Sequence, residues 1–331
     1  MTVVEAMTET RTTLREHESE LVVASATTVA EGVVELRLAD DSGTGLPPWT
    51  PGAHVDLVLG DDLVRQYSLC GDPADATSYT VSVLRELESR GGSAYVHDRL
   101  AEGARVTVRG PRNHFPLLAS PRYEFIAGGI GITPMLPMIA EAEASGADWH
   151  LSYGGRTAAS MAYAERLVTA YGDRVTLVPF DEQGVLDLAT ILGSPSADTL
   201  VYCCGPEGLL KAVEDVCTAS WPAGALHLER FAAKATEAPA EGERSFELEL
   251  AASGVTLQVP ADKSVFDVIQ DAGVSVLGSC HEGICGTCEQ VVLEGEVDHR
   301  DSVLNETEKA ANDAMMVCVS RCLSDRLVLD L

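Results

Sequence analysis

The chain has 331 residues, 46% of them hydrophobic, enough apolar material for more than one core, and two or three domains are expected. Its 51 acidic residues against 23 basic ones give a net charge of −28, which excludes nucleic acid as a partner because phosphate binding needs a basic footprint. No window approaches twenty consecutive apolar residues, so no membrane span is expected.

Residues 1–19 are polar and mixed in charge, lack the basic start and apolar stretch of a secretory signal, and read as a tail. From 20 to 118 apolar and polar residues alternate at period two, with strands expected at 21–23, 33–38, 54–59, 79–83 and 105–108. Short strands joined by Gly, Pro and Asp turns predict a small antiparallel barrel. Cys70 and His54 are expected to be ordinary barrel residues.

Two motifs inside the barrel suit a flavin. In Arg65-Gln66-Tyr67-Ser68-Leu69, Tyr67 can pack on the ring, Ser68 can hydrogen-bond near N5 and Arg65 can pair with phosphate. Arg90-Gly91-Gly92-Ser93 precedes a helical stretch over 94–100, where free N–H groups and the Ser93 hydroxyl make a phosphate cradle. Each also describes an ordinary strand or turn; together, inside a barrel, they point to a flavin.

From 119 to 232 short apolar strands alternate with helices: strands at 123–127, 150–153, 175–178, 199–203 and 225–228, helices at 134–145 and 208–219. That rhythm predicts an open, mostly parallel sheet. The turn Ala127-Gly128-Gly129-Ile130-Gly131-Ile132-Thr133-Pro134 follows a strand and opens a helix, as a pyrophosphate site requires, though it is not the Gly-x-Gly-x-x-Gly fingerprint. A second turn, Cys203-Cys204-Gly205-Pro206-Glu207-Gly208, repeats the arrangement, and two such turns frame a crevice. Arg156 either reaches the ribose or adenine side or is a solvated loop arginine.

Residues 233–244 are Ala/Glu/Pro-rich and read as a linker. The last unit, 245–331, opens with a hairpin (246–250 and 255–259) and a helix over 264–271. Then comes Cys280-x4-Cys285-x2-Cys288, with Cys318 far downstream, the plant-type [2Fe–2S] ligand spacing. Gly283, Gly286 and Thr287 let the backbone wrap the loop and turn N–H groups toward sulfur. Structural zinc also takes four thiolates but usually through two Cys-x2-Cys knuckles, and only one is present. His281 lacks the spacing of a Rieske ligand, and Cys322 is assigned to core packing. Nine cysteines, bunched in this way, suit metal or cluster binding in the cytoplasm rather than a disulfide framework.

With these three sites in this order, the sequence resembles the phthalate dioxygenase reductase family, which includes vanillate demethylase reductase subunits, from about residue 20 to the end. The resemblance rests on Arg65-x-Tyr67-Ser68, Gly91-Gly92-Ser93, Gly128-Gly129-x-Gly131-x-Thr133-Pro134, Cys204-Gly205-Pro206 and the four cluster cysteines. It implies a multidomain chain: an antiparallel β-barrel flavin domain, an α/β parallel-sheet nucleotide domain and an α+β β-grasp ferredoxin domain. The ferredoxin unit coming last implies FMN rather than FAD. By resemblance, Arg65, Tyr67, Ser68, Gly91, Gly92 and Ser93 hold FMN. Gly128, Gly129, Gly131, Thr133, Pro134, Arg156, Cys204, Gly205 and Pro206 line the NADH site. Glu229 and Phe231 match the family's acidic-aromatic close, with a plain strand end as the competing reading. Cys280, Cys285, Cys288 and Cys318 hold the cluster.

No general acid or base is required. Ser68 and Cys204 would flank the hydride-transfer contact and exclude water. The implied function is the NADH-dependent reductase component of a multicomponent oxygenase, passing single electrons to a Rieske non-haem iron protein. One rival is the same chemistry serving a cytochrome P450; another is a cluster-only carrier or redox-sensing module. No group of Arg or Lys follows Tyr153 to meet a 2′-phosphate, which favours NADH, while Arg156 leaves NADPH open.

Overall fold

The computed structural model describes residues 17–60, 63–86, 91–233 and 243–331. The tail and linker expectations fall largely outside the described residues, as does Arg90. Among the described residues no helix is long and apolar enough to cross a membrane.

The first unit comprises β1 (Glu18–Ala30), β2 (Val33–Ala39), β3 (His54–Gly60), β4 (Leu63–Ser68), β5 (Ser78–Leu84), α1 (Gly92–Arg99) and β6 (Arg105–Arg112). The strands lie antiparallel in the order β4-β3-β6-β1-β2-β5, and a bridge between Leu69 and Val81 joins the two ends into a barrel. The period-two pattern turns Leu21, Val23, Leu36, Leu38, Val55, Leu57, Val106 and Val108 inward, all almost fully buried. β1 begins at Glu18, inside the expected tail, because it pairs with Arg109 across β6. α1 begins at Gly92 rather than Ala94, since Gly91 takes a left-handed φ of 92° and starts the helix early.

The second unit runs β7 (Arg122–Gly128), α2 (Met135–Ser145), β8 (Asp148–Gly155), α3 (Ala164–Tyr171), β9 (Val175–Pro179), α4 (Phe180–Gln183), α5 (Leu188–Ile191), β10 (Thr199–Cys204), α6 (Glu207–Ser220) and β11 (Leu226–Glu229). Its sheet is wholly parallel, in the order β11-β10-β7-β8-β9. β7 is buried on both faces through Tyr123, Phe125, Ile126 and Ala127, which is why it reads as a continuous apolar run. α3, absent from the sequence expectations, is short and buries only Ala164 and Leu167. Val33, Cys70 and Phe115 of the barrel pack with Phe125, Met138 and Tyr163, so the first two units share one core.

The third unit contains β12 (Phe246–Leu250), β13 (Val255–Val259), α7 (Val265–Asp271), β14 (Glu289–Glu294), β15 (Val297–Asp298), α8 (Glu306–Ala311), β16 (Ala314–Met316), β17 (Arg321–Cys322) and β18 (Arg326–Leu329). A mixed sheet, β13-β12-β18-β14-β16, packs on α7 around Leu248, Val265, Ile269, Met315 and Leu327. Ser264 accepts the Asp267 N–H at 3.0 Å and so caps α7.

Candidate redox site

In the second unit the strand order switches direction between β7 and β10, and the ligand crevice of an open sheet forms at such a point. Both glycine turns of the sequence meet there. A Cβ on Gly128 would stand 2.7 Å from Cδ of Pro206, and one on Gly131 would stand 2.8 Å from the Gly205 N. These glycines are therefore required first by the packing of one turn on the other. Gly129, with φ of 55° and open space beyond its Cα, is the one facing outward. Its carbonyl accepts the Tyr153 hydroxyl at 3.1 Å, which ties the turn to β8. Pro134 occupies the N-cap of α2, and the Thr133 hydroxyl bonds to the Ile130 carbonyl at 2.9 Å.

A single cavity of about 1380 Å³ runs from the barrel to this crevice. Arg65, Tyr67, Ser68 and Ser93 line its barrel end; Gly128, Gly129, Gly131, Thr133, Arg156, Gly205, Pro206 and Phe231 line the rest. It exceeds the usual volume of a drug-sized ligand site, about 300–1,000 Å³, as an elongated or paired ligand needs. Gly92 lets the Arg65 side chain lie over the start of α1, where a Cβ would collide with it. The Arg65 guanidinium and the backbone N–H groups at the start of α1 thus line one cradle, which fits the phosphate of a flavin mononucleotide. Burial pushes the Tyr67 hydroxyl up to about 12, so it stays protonated. Arg156 is exposed at the rim. Arg230, which sequence reading passed over, faces the same cavity and is held by Glu207 and Glu214, each at 3.2 Å.

Ser68 ends β4, Cys204 ends β10 and Glu229 ends β11, and the three converge. Ser68 Oγ donates to Glu229 Oε2 at 3.3 Å, and Cys204 Sγ approaches the same oxygen at 3.9 Å. Burial pushes the Glu229 carboxyl up to about 8, against those two donors. Burial, then the neighbouring carboxylate, raises the Cys204 thiol well above its ordinary range, so it is no nucleophile. The sequence offered Glu229 only as half of a strand-end motif; the tertiary structure makes it the shared acceptor of the two residues expected to flank the reaction.

The cluster loop lies between α7 and β14. Cys280 stands against Cys285 and Cys318, and Cys318 against Cys288. Cys285, Cys288 and Cys318 are buried. The Glu282 N–H donates to Cys280 Sγ at 3.3 Å, and the Ile284, Thr287 and Gly283 N–H groups turn to Cys280, Cys285 and Cys318 respectively. Four converging thiols with backbone donors aimed at them fit an iron–sulfur cluster, whose charge such donors stabilise. Gly283 and Gly286 have φ of 69° and 72°. A Cβ on the first would stand 2.6 Å from Val319 Cγ2; one on the second would strike the His114 ring. Cys322 packs in the core and bonds to Ser324 at 3.1 Å.

The barrel carries the cluster loop. Asp56, fully buried on β3, accepts hydrogen bonds from Gln66 (2.9 Å), Ser279 and Arg112. Gln66 also donates to Ser279 at 3.0 Å, and Ser279 directly precedes Cys280. Sequence reading missed Asp56; its signal was an acid set in the apolar run of β3. His54 is a barrel residue, as expected, but its face of the barrel lies against Cys285.

Residues 248–323 match the 2Fe-2S iron-sulfur cluster binding domain and residues 125–215 the oxidoreductase NAD-binding domain. The chain is 44% identical to a phenoxybenzoate dioxygenase subunit beta of Ectopseudomonas oleovorans, over 91% of this chain and 94% of that one. It is 41% identical to a vanillate O-demethylase oxidoreductase of Pseudomonas putida, over 94% and 99%. Among solved structures, an intact type IV self-sufficient cytochrome P450 monooxygenase superposes with a TM-score of 0.90 at 44% identity, covering 95% of this chain but 41% of that one. Phthalate dioxygenase reductase, described as a modular structure for electron transfer from pyridine nucleotides to [2Fe-2S], superposes with a TM-score of 0.68 at 36% identity, over 95% and 98%. Matched along nearly its whole length by these reductases, the chain belongs to the phthalate dioxygenase reductase and vanillate demethylase reductase family.

Proposed function

We propose that the chain is the NADH-dependent reductase component of a multicomponent oxygenase, delivering electrons to a Rieske non-haem iron protein. The observation that carries this reading is the continuity of the site: one cavity joins the phosphate cradle of the barrel to the crevice of the parallel sheet, and the cluster loop is bonded to the same barrel. When bound, FMN converts a two-electron donor into single-electron deliveries and the cluster carries those electrons onward.

The residues have separate tasks in this reading. Arg65, with Gly91, Gly92 and Ser93, would hold the flavin phosphate, and Tyr67 would pack on the ring. Gly129, Thr133, Pro134, Arg156, Gly205 and Pro206 would seat the nicotinamide nucleotide, with Gly128 and Gly131 keeping the two turns in register. Ser68 and Cys204 would flank the reacting faces and keep water out. Glu229 would fix both through their shared bonds, and Phe231 would cover the open end. Hydride transfer asks of these groups only position, with reacting atoms held about 3–3.5 Å apart. Cys280, Cys285, Cys288 and Cys318 would ligate the cluster. The division into barrel, nucleotide and ferredoxin domains near residues 119 and 245 is part of this proposal, supported by the three larger sheets, one in each unit. So is a cytoplasmic location, supported by Cys70, Cys203, Cys204, Cys217 and Cys322, which stand as thiols outside the cluster loop.

A second acceptor has a specific observation behind it: the reductase portion of a self-sufficient cytochrome P450 has the same fold at 44% identity. Cofactor extraction should release FMN together with iron and inorganic sulfide, and NADH should reduce cytochrome c rapidly. Reconstitution with a Rieske oxygenase and with a P450 then separates the acceptors. Protein that binds neither flavin nor iron would end the proposal; flavin and cluster with turnover only toward a P450 would favour the second reading.

A further inference from the structure

Three basic side chains of the barrel, His54, Arg112 and His114, stand against the cluster loop. The rings of His54 and His114 are 6.1 Å apart, and Cδ2 of His114 lies 2.7 Å from where a Gly286 Cβ would be. Of the three, Arg112 is the one that keeps its charge at any working pH. Its side chain, 14% exposed, lies within the electrostatic reach of Cys280 and Cys285, and its Nη2 is paired with the Asp56 carboxylate, 0% exposed. The pair is thus a buried dipole beside the cluster loop, its carboxylate held to Ser279 and its guanidinium in reach of Cys280 and Cys285. It belongs to a different domain from the ligands, and the bonds from Gln66 and Asp56 to Ser279 hold the cluster loop beside it.

We infer that the Asp56–Arg112 pair of the flavin barrel sets the reduction potential of the cluster held in the ferredoxin domain. The inference rests on the cluster reading given above. A cluster ligated by four thiolates becomes more negative by one charge on accepting an electron, so a nearby fixed cation stabilises the reduced state. Burial weakens the screening of that interaction. Asp56 opposes Arg112 and trims the field. The consequence is directional: a docked cluster accepts electrons more readily, and one that has left the barrel leaves the cation behind and becomes the stronger reductant toward an external acceptor.

The test is a potentiometric titration of full-length holoprotein, followed by the electron paramagnetic resonance signal of the reduced cluster. Arg112→Gln should shift the one-electron equilibrium at least threefold against reduction, about 28 mV at 59 mV per tenfold. Asp56→Asn should shift it in the opposite direction, and Arg112→Lys should restore most of the wild-type value. Unchanged potentials, or shifts of the same sign in the Gln and Asn variants, would overturn the inference, the second outcome marking a loss of packing. Wild-type protein without the signal would instead strike the cluster reading itself, so the two failures are distinguishable.

Discussion

Ser68 and Cys204 come from different sheets, one antiparallel and one parallel, yet both reach the same carboxylate oxygen, Oε2 of Glu229, at 3.3 and 3.9 Å. That shared contact joins the barrel to the nucleotide unit at the contact proposed for hydride transfer. It leads directly to a pH prediction.

Because the Glu229 carboxyl is raised from 4.5 to about 8 in the folded protein, the unfolded chain releases this proton first as pH rises. Its contribution to stability is full below pH 4.5 and is lost progressively up to about pH 8. Melting temperatures of wild type and Glu229→Gln, measured across this range, should therefore differ by an amount that changes with pH. Parallel profiles would show that Glu229 does not titrate there.

Ser68→Ala and Cys204→Ala should each slow NADH-dependent flavin reduction in stopped-flow by about tenfold to a hundredfold, the scale of a small misplacement of reacting groups. Neither should release the flavin or the cluster. An unaltered reduction rate in both variants would remove these residues from the contact.

Cys285→Ser and Cys318→Ser should lose the cluster absorption and cytochrome c reduction, while NADH still bleaches the flavin. Cys322→Ala should keep the cluster, at a stability cost on the order of 1 kcal/mol for the vacated volume. Loss of the cluster in the Cys322 variant would redraw the ligand set.

Gly131→Ala should destabilise the protein by roughly 1–3 kcal/mol and weaken nucleotide binding, because its Cβ must push the Cys204–Gly205 turn away. Gly208→Ala, with nothing within 4 Å and a place in α6, should stabilise by about 0.5–1 kcal/mol. Chemical denaturation with a nucleotide titration checks both. Equal effects at the two positions would refute the idea that Gly131 serves turn packing.

The elements legible beforehand were those whose pattern is local. The hairpin of β12 and β13 was expected at the residues where it occurs, since alternation and a Gly turn specify it. The four cluster cysteines stood out through spacing alone. The Arg65, Tyr67 and Ser68 run and the two glycine turns were found by residue type, and the cavity brings them together. α3 escaped because eight residues with two buried positions carry too little periodicity. Arg230 escaped because its significance lies in facing the cavity between Glu207 and Glu214, not in its neighbours along the chain.

The sequence by itself determined three units, their order and the chemistry of their turns, because hydrophobic period, glycine placement and thiolate spacing are properties of short segments. Only the tertiary structure decided that Glu229 is the meeting point of Ser68 and Cys204, and that Asp56 and Arg112 of the barrel sit beneath the cluster loop. The reason is physical: a buried carboxyl takes its pKa and its partners from whatever surrounds it in space, and those surroundings come from strands far apart in the chain.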